Sequence, residues 1–598
     1  MKYNIKTENT FGRTLKDIVL KNRGLTENDV DFLLNPTSEY QEMPFKIKNV
    51  DKGIELFISE LDKGSNIGIL VDTDVDGYTS SALMYLFLIN ECQVPKEKIT
   101  LFFHDGKFHG LDPKVFKRIK KSSVEFLIIP DASTNDFKEI KELLSMGKRI
   151  LVIDHHQPQS NGEDFKTVFR DTSNALIGVI VNNQFDEYSH NLSGVGVVYK
   201  FLVGMTENEL EHYLDLVAIG CIADIMDIHD KEVGYLVHKG LKNIRNEFFK
   251  EILKDFDLDD IIPETISFNL ANIINGTIRF GSMEECELLF KALIGEEEEF
   301  EYKPRKSKNN PNPQVQIETL QQHMVRIAKS VKQKQDKKKK ECIKLCEKYI
   351  EENNCNDSKV LTIIDEERKL VDKRITGLIA TNLIDIYKKP VVLLSVSPKK
   401  DRLIGSMRTY GIDDFKSILE STEILTVKGH NGSAGVETDY SNIRRVKKRI
   451  DKVMEDVEVE DVAINIDCVI DLDDISFKQM NEIVDLKPLW FTFCPKPTFL
   501  VTNLKVKPAN IKNPYPTLLT FDIDGITFKK EFCSRVFKED FLCEEEMKGI
   551  FGRPDIIIDE MVVSIGWDNY KKQPCFEIKS AKTHIDKDKK KKDKNVPF

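Results

Sequence analysis

Residues 67–76 read IGILVDTDVD, five apolar residues followed at once by three carboxylates, Asp72, Asp74 and Asp76. Alternate residues of an extended segment share a side, so the run reads as a buried strand that delivers acids to its C-terminal edge. Carboxylates crowded on one edge repel, and either a bound cation or raised pKa values must relieve them. Gly77 permits a tight exit, Thr79, Ser80 and Ser81 can open a helix, and 82–89 is apolar throughout. One such string is matched as well by a solvated loop of capping acids. The device recurs, however. FLIIP at 126–130 ends in Asp131, and ILVI at 150–153 ends in Asp154, His155 and His156, with a helical pattern over 136–146 closed by Gly147 between them. Apolar strands linked by helices, each ending in ligand-type side chains, predict an α/β fold with a parallel sheet and a site at the carboxyl ends of its strands.

The D-x-D-x-D-G at 72–77, the lone Asp131 and the Asp154-His155-His156 triplet, in that order, resemble the DHH phosphoesterase superfamily. Further strings narrow the resemblance: LSGVGV at 192–197, DLVAIGCIADIMDI at 215–228, KRITGLIATNLIDIYKKPVVLL at 373–394, GSMR at 405–408 and KGHNGSAG at 428–435. Together they resemble the RecJ single-strand-specific exonucleases over roughly residues 50–450. The resemblance implies a parallel-sheet DHH domain and a second, DHH-associated α/β domain joined by a long helix, followed by a C-terminal OB-like β-barrel. It also implies a ligand set of Asp74, Asp76, Asp131, His155 and Asp224, with Asp72 joining or orienting it. Asp215, at the start of the same helical string as Asp224, competes for the fourth acid, helix capping being its other explanation. Asp76, His155 and His156 are the implied catalytic residues, His156 through the scissile phosphate or by tuning a ligand. Carboxylates plus imidazole without thiolate suit two divalent ions, manganese ahead of magnesium. The implied phosphate grip is Gly429, His430 and Asn431, with Lys428 where the family has a glycine; Arg408 and, less closely, Arg279 match its phosphate-binding arginines.

At 598 residues the chain exceeds one core. We expect an N-terminal extension (1–45), the DHH domain (46–260), a helical connector (261–355), the DHH-associated domain (356–456), the OB-like domain (457–584) and a disordered basic tail (585–598). The connector contains a long polar helix at 315–352 and, with EEEEFE at 296–301 and a Pro/Asn/Lys-rich stretch to 313, a mobile charged insertion. A net charge of −11 excludes a uniformly basic coat but not a basic channel. The 11 cysteines lack paired spacing and read as reduced thiols. No apolar run reaches membrane-spanning length and the first residues lack a signal core, so the expected location is the cytoplasm.

The first expectation is therefore a monomeric, metal-dependent 5′→3′ exonuclease that degrades single-stranded DNA to mononucleotides in recombination and repair. RNA is the alternative polymer, and a single-strand-binding protein or helicase the candidate partner. Two other classes are consistent with the superfamily: a phosphodiesterase of short oligonucleotides or cyclic dinucleotides, and a non-catalytic, RecJ-like single-strand-binding replication subunit. The retained ligand set weighs against the last.

Overall fold

The structure is a computed structural model that describes residues 2–158, 166–185, 188, 190–206, 208–257, 260–306, 310–515, 517–544 and 554–586. It forms two compact units, residues 36–462 and a second made of 1–35 together with 463–598.

In the first unit, β1 (Ile67–Val71), β2 (Ile99–Phe103), β3 (Phe126–Pro130), β4 (Arg149–Asp154), β5 (Val168–Arg170) and β6 (Leu176–Asn182) make one sheet in the order β2-β1-β3-β4-β6-β5. Every neighbouring pair is parallel except β5 with β6. Every residue of β1 and β3 is buried, because helices cover both faces and leave no solvent side for polar alternation. The helix α1 (Val75–Asn90) starts well before the expected 82–89: Asp74 caps it, accepting a hydrogen bond from the Gly77 amide at 3.0 Å. Asp76 therefore lies in the first helical turn. A Cβ at Gly77 would stand 2.6 Å from Cβ of Asp72, so only glycine lets the strand turn so tightly into the helix.

Three further helices bear on the site: α2 (Gly194–Thr206), α3 (Leu214–Ala223) and α4 (Asn272–Phe280). The long helix α5 (Leu320–Glu352) starts at Leu320 rather than 315, because Gln316–Thr319 instead pairs antiparallel with Glu299–Tyr302, and Thr319 with Gln322 forms a capping box. This hairpin packs on α5: Phe300 stacks on His323 at 3.9 Å and Arg326 lies 4.0 Å over Tyr302. The acidic run expected to be mobile is thus held at its two strands, while 307–309 lie outside the described residues. Beyond α5, β7 (Leu361–Asp365), β8 (Val391–Val396), β9 (Arg402–Arg408), β10 (Thr426–Gly429) and β11 (Ser433–Asp439) form a second sheet, order β7-β8-β9-β11-β10, parallel only at β7–β8.

In the other unit, Tyr3–Ile5 pairs in parallel with Ile464–Ile466, and Leu15, Ile18, Val19 and Val30 enter the same apolar core as Met480, Phe499 and Phe576. Residues 1–35 therefore share a body with the C-terminal β region instead of standing as an extension. Its seven-stranded sheet runs from Cys468–Ile470 at one edge to Lys512–Tyr515 at the other. Among the described residues no pairing joins those edges, so the OB-like closure is not observed. The basic tail, from 587 onward, lies outside the described residues. All eleven cysteines are free, and no described helix is long and apolar enough to cross a membrane.

Candidate metal centre

The carboxyl edge of the first sheet gathers the acids. Asp131 follows β3 with φ at +62°, its amide donating to the Ile153 carbonyl at 2.7 Å; Asp is among the residue types that tolerate this left-handed backbone. His155 and His156 follow β4, and Asp224 closes α3. Nε2 of His155 lies 3.3 Å from Asp131, 3.5 Å from Asp224 and 3.9 Å from Asp76. One imidazole nitrogen therefore meets three carboxylates.

Backbone amides aim one of the three. Asp76 accepts from the amides of Gly194 at 2.6 Å and Val195 at 3.1 Å and from the Ser193 hydroxyl at 3.2 Å, so the N-terminus of α2 holds it. Gly194 is obligatory, since a Cβ there would collide with the Asp131 carboxylate. Asp154 points away from the cluster, accepting from the Thr134 amide at 2.9 Å and from Nδ1 of His156 at 2.8 Å.

Burial, then the Asp74 charge, push the Asp76 carboxyl up to about 7. Burial, then Asp76 and Asp74, push Asp224 up to about 8, and burial with the surrounding acids drives Asp131 well above the usual carboxylate range. Burial, then the His156 charge, hold His155 down at about 4. The imidazole is thus neutral, and its contacts with the acids are not ion pairs. His156 behaves oppositely: burial penalises its charge, but the hydrogen bond and charge of Asp154 raise it to about 9. Asp131 Oδ1 has no hydrogen-bond partner among the described residues although buried. Three self-repelling carboxyls, one orphaned oxygen and a neutral imidazole have the chemistry that suits a hard divalent cation.

A second group of charges adjoins this one. Lys107, in the loop after β2, is pushed down to about 8 by burial and then by the charges of Arg279 and Arg408, with Asp74 opposing. Burial, then Arg279, lower Arg408, and Gly377 leaves room for the Arg408 guanidinium, 2.6 Å from where a Cβ would stand. Arg279 Nε, on α4, has no hydrogen-bond partner among the described residues. The arginines from two distant strings thus feel each other's charge, and Lys107 feels both together with that of Asp74. Gly429, His430 and Asn431 form the turn between β10 and β11, with His430 and Ser433 exchanging backbone hydrogen bonds at 3.1 and 3.2 Å. His430 and Asn431 are exposed, and no described hydrogen bond or ion pair joins them to the acids. They lie at the Arg408 end of β9, where Thr409 donates to the Gly432 carbonyl at 2.9 Å. Lys428 is paired with Glu437 at 3.0 Å.

Comparisons of sequence and of fold with known proteins point to one family. Residues 66–221 match the model of the DHH family, N-terminal domain. YorK of Bacillus subtilis (strain 168), a prophage-derived protein assigned as a single-strand DNA-specific exonuclease, is 30% identical over 552 residues, covering 89% of this chain and 91% of YorK. The chain is a RecJ-like member of the DHH superfamily. RecJ of Bacillus subtilis, a single-stranded-DNA-specific exonuclease, is 23% identical over 77% of this chain and 55% of its own length. In fold, the chain is similar to RecJ of Thermus thermophilus solved with Mn2+, with a TM-score of 0.69 at 15% identity, over 98% of this chain and 80% of that one.

Within this RecJ-like site, sequence reasoning passed over His104 and His109. Asp72 is buried behind β1, with Oδ2 2.5 Å from Nδ1 of His109 and Oδ1 accepting from the Gly110 amide at 3.0 Å. Burial alone would raise its pKa, but the charge and hydrogen bond of His109 and the charge of His104 hold it below the usual range. The available signal was that β2, like its neighbours, ends in a titratable residue, His104. Asp215 is turned elsewhere, accepting from the amides of Leu216, Arg245 and Asn246 at 2.7–2.8 Å.

The raised carboxyls predict how metal removal depends on pH. A carboxyl raised in the folded state costs nothing while protonated in both states, below its ordinary value near 4. It destabilises the metal-free fold progressively as pH climbs from there to its folded value, about 7 for Asp76 and 8 for Asp224, above which the penalty is complete. A bound cation cancels that penalty and releases the protons. The melting temperature difference between manganese-loaded and EDTA-treated protein is expected to widen from about pH 6 to about pH 8.5. Scanning calorimetry at both pH values tests this, and a constant difference would contradict the assignment.

Proposed function

We propose that this RecJ-like chain is a metal-dependent exonuclease that degrades single-stranded DNA from its 5′ end to mononucleotides, serving recombination and repair. The observation that carries the proposal is the convergence of Asp76, Asp131 and Asp224 on His155, beside Lys107, Arg279 and Arg408. The first group, together with Asp74, would hold two divalent cations, manganese in preference to magnesium. The second takes the terminal 5′ phosphate, whose double charge suits several cations better than a diester does. When bound, the cations polarise the phosphoryl group and ease deprotonation of the attacking water. The α2 N-terminus keeps Asp76 aligned, and Asp154 keeps His156 protonated below about pH 9, where it donates to a phosphate oxygen of the scissile bond. Neutral His155 keeps a lone pair for an ion. The hairpin with His430 and Asn431, beside the Arg408 end of β9, contributes to the same grip.

The test is digestion of single-stranded DNA carrying a label at one end or the other. Early release of labelled mononucleotide from the 5′ end, with manganese the better ion, is expected; early release from the 3′ end, or faster turnover of dinucleotides than of long strands, would overturn the proposal. R408A is expected to slow 5′-phosphorylated substrate by about ten- to a hundredfold, the worth of a charged hydrogen bond, and 5′-hydroxyl substrate much less. Equal loss on both would remove Arg408 from the terminal phosphate.

A further inference from the structure

The loop that joins β2 to the helix Pro113–Lys121 carries His104, His109 and Asp112, which no superfamily string above includes. They make two separate hydrogen-bonded pairs around Asp72, with the buried Nε2 of His104 between them lacking a hydrogen-bond partner among the described residues. Asp112 lies 2.7 Å from Nδ1 of His104, Nε2 of His104 lies 3.6 Å from Asp72 Oδ1, and Asp72 Oδ2 lies 2.5 Å from Nδ1 of His109. Asp72 and His104 are buried, whereas the His109 side chain is 50% exposed and emerges on the site face. The loop is pinned there by the Thr73 hydroxyl donating to the Phe108 carbonyl at 2.6 Å and the Leu111 amide donating to Asp136 at 2.9 Å.

Ligand-capable atoms of Asp72, Asp74 and His109 lie within 4.8 Å of one another, as do those of Asp76, His155 and Asp224. The two groups share no residue. Asp72 already accepts from His109 and Gly110, so the ring's Nδ1–H is committed and Nε2 is the nitrogen left to donate a lone pair. A carboxylate behind an imidazole is the arrangement that fixes tautomer and direction in metal-ligating histidines.

We propose that His109 is a ligand of the second cation, the one that Asp74 holds away from His155, and that Asp72, fixed by the Gly110 amide, orients His109 rather than binding the ion. This assignment rests on the two-cation reading above. It gives each ion one imidazole from its own strand end, His155 after β4 and His109 beyond β2.

The experiment is manganese titration of the full chain, followed by calorimetry for stoichiometry and by electron paramagnetic resonance for the spin-coupled pair, with melting temperature in EDTA as the fold control. Wild type is expected to take two ions and to give a coupled signal. H109Q is expected to take one, with an isolated six-line signal, and D72N to keep two while binding the second about ten- to a hundredfold more weakly. Two ions at unchanged affinity in H109Q would overturn the proposal, as would loss of one ion in D72N with both retained in H109Q. A wild-type chain that takes fewer than two ions would instead overturn the two-cation reading itself. No step in this test depends on nuclease activity, so direction and substrate errors leave it unaffected.

Discussion

D131N is expected to lower hydrolysis of single-stranded DNA by three orders of magnitude or more, a loss of about 4 kcal/mol of transition-state stabilisation, while raising the melting temperature of the metal-free protein. Both effects have one source. Asp131 is buried, its Oδ1 has no hydrogen-bond partner among the described residues, and its carboxyl is pushed far up by burial and by Asp76, Asp74 and Asp72. Without an ion the charge is a liability to the fold, and with ions it is part of what holds them. Asn keeps the shape and the left-handed backbone preference needed at φ +62°, so the substitution removes charge and little else. Manganese affinity measured on the same variant should fall. Near wild-type turnover would remove Asp131 from the centre, and a lower metal-free melting temperature would show that the residue supports the fold instead.

The parallel sheet was legible because strands buried on both faces are written as unbroken apolar runs, and because β1, β3 and β4 each stop at an acid. β2 was not, since at an edge it is only partly buried, with Thr100 breaking the apolar run, and it stops at a histidine rather than an acid; the loop behind it, with Gly106 and Gly110, reads as a turn. His104 and His109 gain meaning only when tertiary packing sets Asp72 between them. The mutual influence of the Arg279 and Arg408 charges is likewise invisible to local pattern, as one lies on α4 and the other ends β9. The start of α5 was misjudged because Gln316–Thr319 carries no apolar period to separate strand from helix, and the capping box at Thr319 decides it. Residues 1–35 could not be assigned to the C-terminal body from sequence: a three-residue strand pairing with Ile464–Ile466 leaves no periodic trace.

The choice between the two acids of the α3 string yields the second large effect. Asp215 and Asp224 are nine positions apart along one helical segment, about two and a half turns, which sets them on opposite sides of its axis. Asp224 faces His155 at 3.5 Å with 37% of its side chain exposed, and burial with Asp76 and Asp74 raises its carboxyl to about 8. Asp215 is buried and closes the amides of Arg245 and Asn246 at the entrance to the helix Glu247–Leu253. D224N is therefore expected to lose about two orders of magnitude or more in turnover with an unchanged or higher metal-free melting temperature. D215A should do the reverse, leaving the part-buried amides of Arg245 and Asn246 without their acceptor at a cost of about 1 kcal/mol each while the folded fraction turns over at nearly the wild-type rate. The pair is read by melting temperature and by turnover normalised to folded protein. A D215A chain that is stable but inactive would move the fourth acid to the other face of α3 and, since His155 makes no contact there, would require a different centre.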